Sequence, residues 1–208
     1  MNKTVKILLS ILIIIVVAVA AYFITYSVTT YFLDKQNVQE QHNIAEYTVG
    51  DQKIHTMICE INNEFELEVP DTFTKMDEET LEAKYPLESR PGLVYTNDEA
   101  NINVAISITT NEMTDDQIEQ YLEVYRGLFG ESETIDLIRC ETVEQNGMKT
   151  GRVEMITPAV DTNIYNNMCF FQIDNKQVIV SFNCKESQME DWKDMSNVII
   201  NSIKLMEN

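Results

Sequence analysis

Residues 135–184 read IDLIRCETVEQNGMKTGRVEMITPAVDTNIYNNMCFFQIDNKQVIVSFNC. Two hairpins lie in this stretch. Asn146-Gly147 is a strong turn signal, because both residues accept the positive φ that a two-residue turn between twisted strands requires. It separates residues 135–145 from 148–157. That turn sets Cys140 opposite Val153 and Ile138 opposite Met155, apolar against apolar. The second hairpin joins Ile164–Asp174 to Gln177–Cys184. With Asn175-Lys176 as its turn, Cys169 faces Phe182, Phe171 faces Val180, Ile173 faces Val178 and Cys184 faces Asn167. Consecutive hairpins with no βαβ rhythm predict an antiparallel sheet.

Helix and strand signals surround these hairpins. Ahead of them, Thr114-Asp-Asp-Gln117 has the form of a capping box. Ile118, Leu122, Tyr125 and Phe129 follow at helical spacing, and Gly127 and Gly130 mark the exit. Ile102, Val104, Ile106 and Ile108 alternate with Asn103, Ala105, Ser107 and Thr109, which predicts a half-buried strand. Asp77–Tyr85 suits a short helix with acids in its first turn. Lys53–Ile61 and Glu64–Val69 predict two strands around Asn62-Asn63. After the hairpins, Ser187-Gln-Met-Glu190 has the form of another capping box. Met189, Trp192, Met195, Ile199 and Ile203 then form one apolar stripe, read as core. The total is seven or eight strands and two substantial helices, an α+β chain.

The N-terminus reads as an address. From Ile7 to Leu33 no residue is charged, and a membrane-spanning helix needs roughly 20 apolar residues. Lys3 and Lys6 precede the run and Asp34 follows it. This predicts residues 1–6 in the cytoplasm, a transmembrane anchor over 7–33, and the remainder outside. Tyr22, Tyr26, Tyr31 and Phe32 suit an interfacial aromatic belt at its outer end. The alternative is secretion after cleavage at Ala18-Val19-Ala20, although the apolar run continues past that point. Residues 34–52 are mostly polar and read as a juxtamembrane linker, leaving 53–208 as the extracytoplasmic α+β domain.

Composition excludes several functions. The 208-residue chain carries net charge −19 with an isoelectric point near 4.3. Nucleic-acid binding needs a basic face, which this composition does not supply. Because Lys3 and Lys6 precede it, the part from Asp34 onward is more acidic still. Such a domain repels anionic lipid and attracts cations or basic partners. The abundant Asn and Ile suggest an AT-rich bacterial coding genome. No phosphate-binding loop, dinucleotide fingerprint, nucleophile elbow or zinc-protease motif occurs. His55 and Cys59 lie four apart on a strand, on one face, but nothing supplies further ligands for a zinc ion. Cys59, Cys140, Cys169 and Cys184 allow three full disulfide pairings, and export would permit them. The last three sit in the apolar phase of their strands, which favours buried thiols. The acid pairs Glu78-Glu79, Asp115-Asp116 and Glu190-Asp191 sit at helix starts, where the helix dipole explains them. Tyr85, Arg90 and Tyr95 flank a Pro-bounded loop. They are the candidate partner contacts, Tyr and Arg being common interface anchors. The structural alternative has Arg90 ordering the loop and Tyr85 packed in the core.

The run FELEVPDTFTKM (65–76), then KYPLESRPGLVYTN (84–97), a strand and a capped helix, resembles the PsbP-like family. The terminal DWKDMSNVIINSIKL (191–205) is similar to that family's closing Trp-containing helix and last strand. The resemblance covers residues 56–206. It implies a three-layer α/β/α sandwich with a mostly antiparallel sheet, here preceded by the transmembrane helix. It also implies a non-enzymatic role: members bind protein partners, including a photosystem complex and a small GTPase, and some are anchored bacterial proteins. The expectation is therefore a membrane-anchored, non-catalytic interaction domain at the cell envelope, with no cofactor and no metal. The alternatives are a cation- or small-ligand-binding sensor and a carboxylate-based envelope hydrolase.

Overall fold

The computed structural model describes residues 38–87 and 90–206, with side chains from Ala45 onward. Strands β1 (Val38–Val49), β2 (Gln52–Ile61) and β3 (Phe65–Pro70) come first, followed by β4 (Thr74–Lys75) and helix α1 (Glu78–Lys84). Then come β5 (Leu93–Thr96), β6 (Asn103–Glu112), a 3-10 turn (Asp115–Gln117) and helix α2 (Ile118–Phe129). The two hairpins follow as β7 (Asp136–Gln145), β8 (Met148–Pro158), β9 (Asn163–Ile173) and β10 (Lys176–Lys185). A second 3-10 turn (Glu186–Gln188), helix α3 (Met189–Ser202) and β11 (Lys204–Leu205) close the chain. The anchor predicted over 7–33 lies outside the described residues. Among the described residues no helix is long and apolar enough to cross a membrane.

The strands form two sheets rather than the single one expected. One has the order β1-β2-β3-β11 and the other β4-β5-β6-β10-β9-β8-β7, and every pairing is antiparallel. The stretch read as a linker over 34–52 supplies β1, which pairs with β2 from Val38↔Ile61 to Val49↔Gln52. Its polar composition hides a strand that pairs through its backbone. Gly50, at φ +54, makes the turn into β2.

Three layers result. The small sheet and α3 pack together on one face of the large sheet. Their shared core includes Ile61, Phe65, Leu67, Val104, Ile106, Phe171, Val180, Phe182, Ile199 and Ile203. Helix α2 covers the other face through Ile118, Leu122, Tyr125 and Phe129, against Val153 and Phe170. Each such side chain contributes roughly 1.5–3 kcal/mol by leaving water. Trp192, on the α3 stripe, stacks on Phe182 at 6.0 Å. The Ile102–Thr109 alternation is a strand, but both of its faces are covered: Asn103, Ala105 and Thr109 are buried beside the apolar phase. Gly151 makes room for a ring, because a Cβ there would stand 2.2 Å from Cζ of Phe170, its cross-strand partner.

Turn chemistry corrects two registers. Asn146 and Gly147 take φ of 48° and 79°, and Cys140 faces Val153 as expected. A bulge between Leu137 and Arg139 then removes Ile138 from the ladder, so Leu137, not Ile138, opposes Met155. In the second hairpin the turn is Asp174-Asn175, at φ 50° and 60°. Asp and Asn tolerate the left-handed region better than Lys does. Phe171 therefore faces Val178, Cys169 faces Val180, Phe182 faces Asn167 and Cys184 faces Tyr165. The slip is two residues, so every side chain keeps its face. Before α2, the Thr114 N–H donates to Gln117 Oε1 at 2.9 Å, as a capping box requires. The Ser187–Glu190 box is displaced: Lys185 N–H donates to Gln188 Oε1 at 3.4 Å, and Ser187 lies inside the 3-10 turn.

Candidate functional site

The Pro-bounded loop rises from α1. Asp77 caps that helix: its Oδ1 accepts from the Thr80 N–H at 2.9 Å and its Oδ2 from the Thr80 hydroxyl at 2.7 Å. These bonds hold the Asp77 carboxyl below the usual range. No residue of α1 is buried, so packing alone does not fix it. Polar contacts at its C-terminus do. The Lys84 ammonium donates to the Ala100 carbonyl and lies 3.2 Å from Asn103 Oδ1. Asn103 is itself held by the Thr96 hydroxyl at 2.8 Å, and its Nδ2 donates to Asn183 Oδ1 at 2.8 Å. Tyr85 joins the same group: burial pushes its phenol up, while a hydrogen bond with Asn183 pulls it down.

The loop is braced from the other side by Arg90. Its Nη2 donates to Glu82 Oε1 at 2.9 Å, and its N–H donates to the Leu87 carbonyl at 3.1 Å. Arg90 thus ties its own position to α1 through a carboxylate and to Leu87 through the backbone. Leu87 is the residue that sequence reasoning missed. It is 59% exposed, between Tyr85 and Arg90. An isolated Leu has no periodicity to flag it. Tyr95 is a correction: it is fully buried in the core between the sheets and offers no surface to a partner. Its position on β5, one strand in from the edge, puts it there. The candidate contact surface therefore reduces to Leu87 with the accessible parts of Tyr85 and Arg90.

A second polar assembly lies between α3 and the β7–β9 face. Glu154 is 1% exposed. Its Oε1 accepts from Lys193 Nζ at 2.9 Å and from the Tyr165 hydroxyl at 3.0 Å, and its Oε2 lies 3.6 Å from Arg139 Nε. Asn167 Nδ2 donates to Ser196 Oγ at 2.9 Å in the same seam. Burial, with the hydrogen bond and charge of Glu154, pushes the Tyr165 phenol far up, so it remains a donor. A carboxylate held by two cations and a phenol is a clamp on α3.

Arg152, 3% exposed, meets the other end of α3. Its Nη2 donates to Gln145 Oε1 and to Asn201 Oδ1, the latter at 2.6 Å, and lies 3.5 Å from the Ile200 carbonyl. Gln145 Nε2 donates to the Ile200 and Ile203 carbonyls at 2.8 and 3.1 Å. Asn146 Nδ2 donates to the Asn201 and Ile203 carbonyls at 3.2 and 2.8 Å. One hairpin thus satisfies the carbonyls that a helix C-terminus leaves unbonded, and places a cation at the negative end of its dipole. Alternation alone assigns Arg152 and Glu154 to the phase opposite Val153, which reads as solvent-facing. The polar positions Ser196, Asn197 and Asn201 on α3 were the available signal.

The remaining candidates disperse. His55 is exposed, its Nε2 4.0 Å from a Glu46 oxygen, whereas Cys59 is buried. Among the described residues no three His, Cys, Asp or Glu side chains group as metal ligands. All four cysteines are thiols, Cys140 half-buried and the others buried. Burial pushes Cys169 up to about 11 and Cys184 up to about 12. The three acid pairs occupy the first turns of α1, the first 3-10 turn and α3. A surface hollow of about 430 Å3 at the start of α2 is lined by Glu112, Thr114, Gln117 and Asn175.

Comparison with known proteins gives likeness of layout. No protein-family model matches the chain. No curated protein matches it either. Among solved structures it is similar to the cyanobacterial PsbP (CyanoP) of Synechocystis: 11% identity, 81% of this chain and 92% of that one covered, TM-score 0.49. It is also similar to LpqN of Mycobacterium tuberculosis, described as involved in cell envelope biogenesis: 12% identity, 85% and 95% covered, TM-score 0.48. No residue role passes from them to this chain.

Proposed function

We propose that this protein is a membrane-anchored, non-catalytic interaction domain at the bacterial cell envelope. It contacts a protein partner through the loop that carries Tyr85, Leu87 and Arg90. The observation that carries this reading is Leu87, 59% exposed between Tyr85 and Arg90. Lys84 and Tyr85 bolt one end to β6 and β10, and Arg90 braces the other on Glu82. Leu87 would fill an apolar pocket on that partner, with Arg90 and Tyr85 at its rim. The uncharged run over 7–33 supports an anchor with the N-terminus inside and the folded domain outside. Tethering raises the domain's effective concentration for a neighbour in the same membrane. The net charge of −19 steers basic partners toward it and anionic lipid away.

The test is crosslinking in the native cells, followed by affinity capture of the full-length tagged chain. One stoichiometric partner is expected with the wild type. Capture should fall at least about tenfold for Leu87→Asp, since burying a charge at a hot spot costs over about 2 kcal/mol. It should also fall when residues 1–33 are deleted. Undiminished capture by Leu87→Asp would remove the loop from the interface, and undiminished capture by the deletion would remove the anchor from the mechanism.

A further inference from the structure

Asn146-Gly147 is the one Asn-Gly dipeptide in the sequence, and its role in the turn is joined to a second one at the end of α3. The Asn146 amide donates to the carbonyls of Asn201 and Ile203 at 3.2 and 2.8 Å, more than fifty residues away in the chain. The residue is exposed, and its backbone holds φ 48°. We propose that Asn146-Gly147 is a modification site: loss of the side-chain amide releases the end of α3, and docking of α3 holds the reaction off. This inference does not rest on the partner surface at Leu87.

The chemistry is deamidation. The backbone nitrogen of Gly147 attacks Cγ of Asn146, and the new N–Cγ bond closes a cyclic imide. The Cγ–Nδ2 bond breaks, and the amide leaves as ammonia with the proton from the attacking nitrogen. Water then adds to one imide carbonyl and cleaves its bond to nitrogen, leaving an aspartyl or an isoaspartyl link in place of the asparagine. Glycine favours the attack because no Cβ crowds its nitrogen. In the folded chain, swinging Cγ onto that nitrogen means breaking both hydrogen bonds to α3. Reaction therefore waits on local opening of the helix end.

The product reverses the sign of the contact. A donor amide becomes an acceptor carboxylate, facing two carbonyls at the negative end of a helix dipole. Arg152 is the cation at this end; its Nη2 is committed to Gln145 Oε1 and Asn201 Oδ1, and its buried Nε has no hydrogen-bond partner. Re-docking then takes the side-chain donor from the Asn201 carbonyl, leaves the Ile203 carbonyl with Gln145 alone, and adds a repulsive charge. The seam held by Gln145, Asn146 and Arg152 would open in one direction only.

The experiment follows the folded full-length chain in mildly alkaline buffer, with peptide mass mapping at Asn146. The native rate should be at least about tenfold below that of the urea-unfolded chain. Gln145→Ala, which removes the neighbouring donor to Ile200 and Ile203, should raise the native rate. The consequence is tested by comparing Asn146→Asp with Asn146→Gly. Both lose the amide, and glycine accepts the positive φ without strain. Asn146→Asp should melt about 1–4 °C below Asn146→Gly. Equal native and unfolded rates would overturn the gating. An Asn146→Asp chain melting at or above Asn146→Gly would overturn the release.

Discussion

Replacing Gly151 with alanine tests the packing of α2 on the large sheet. The new Cβ would stand 2.2 Å from Cζ of Phe170 and 2.6 Å from each Cε. Ordinary carbon contacts begin near ~3.5 Å, so the ring must move by over about 1 Å. It has nowhere to go. Phe170 is 2% exposed, stacks on Tyr125 at 6.2 Å and meets Tyr121 edge-on at 6.0 Å. Overpacking costs about 1–3 kcal/mol. Disturbing two aromatic contacts adds about 0.5–1.5 kcal/mol each. The reduced freedom of the unfolded alanine chain returns about 0.4–1 kcal/mol. The net is about 3 kcal/mol, or roughly 6–12 °C in Tm for a chain of this size. Thermal unfolding followed by circular dichroism measures it. Combining Gly151→Ala with Phe170→Leu should cost less than the two single changes added together, because the changed atoms touch. A Gly151→Ala chain as stable as the wild type, or strict additivity in the double variant, would refute the argument.

Two further outcomes follow from titration and burial. Asp77 binds its proton less readily in the folded chain, so its contribution to stability is present above the ordinary carboxyl pKa of 3.8 and disappears as pH falls through the lowered folded value. The Tm deficit of Asp77→Ala should therefore be evident at neutral pH and shrink in strong acid; a deficit that does not change with pH would contradict the capping role. Alkylation of the native protein should label the half-buried Cys140 first and reach Cys59, Cys169 and Cys184 only in denaturant, where all four thiols react. Rapid native labelling of Cys169 or Cys184, or fewer than four thiols in urea, would show the packing to be wrong.

The sequence by itself determined the local elements. Alternation, helical spacing and cap residues depend on neighbours within a few positions. Asp77, Thr114 with Gln117, and Asn146-Gly147 accordingly act at the positions their local pattern assigns, and the apolar stripe of α3 is core. Where two local signals competed, backbone preference settled the matter. Asp174-Asn175 took the positive-φ turn in place of Asn175-Lys176. Only tertiary structure decided the rest. β1 is a strand because β2 presents an open edge to it, a fact absent from its polar composition. Tyr95 is core and Leu87 is surface because of which strands flank β5 and what braces the loop. Glu154 and Arg152 are buried because α3, a distant segment of the chain, folds back over β8. Partners so distant in sequence leave no period to read, and burial of a charge depends on what arrives to neutralise it.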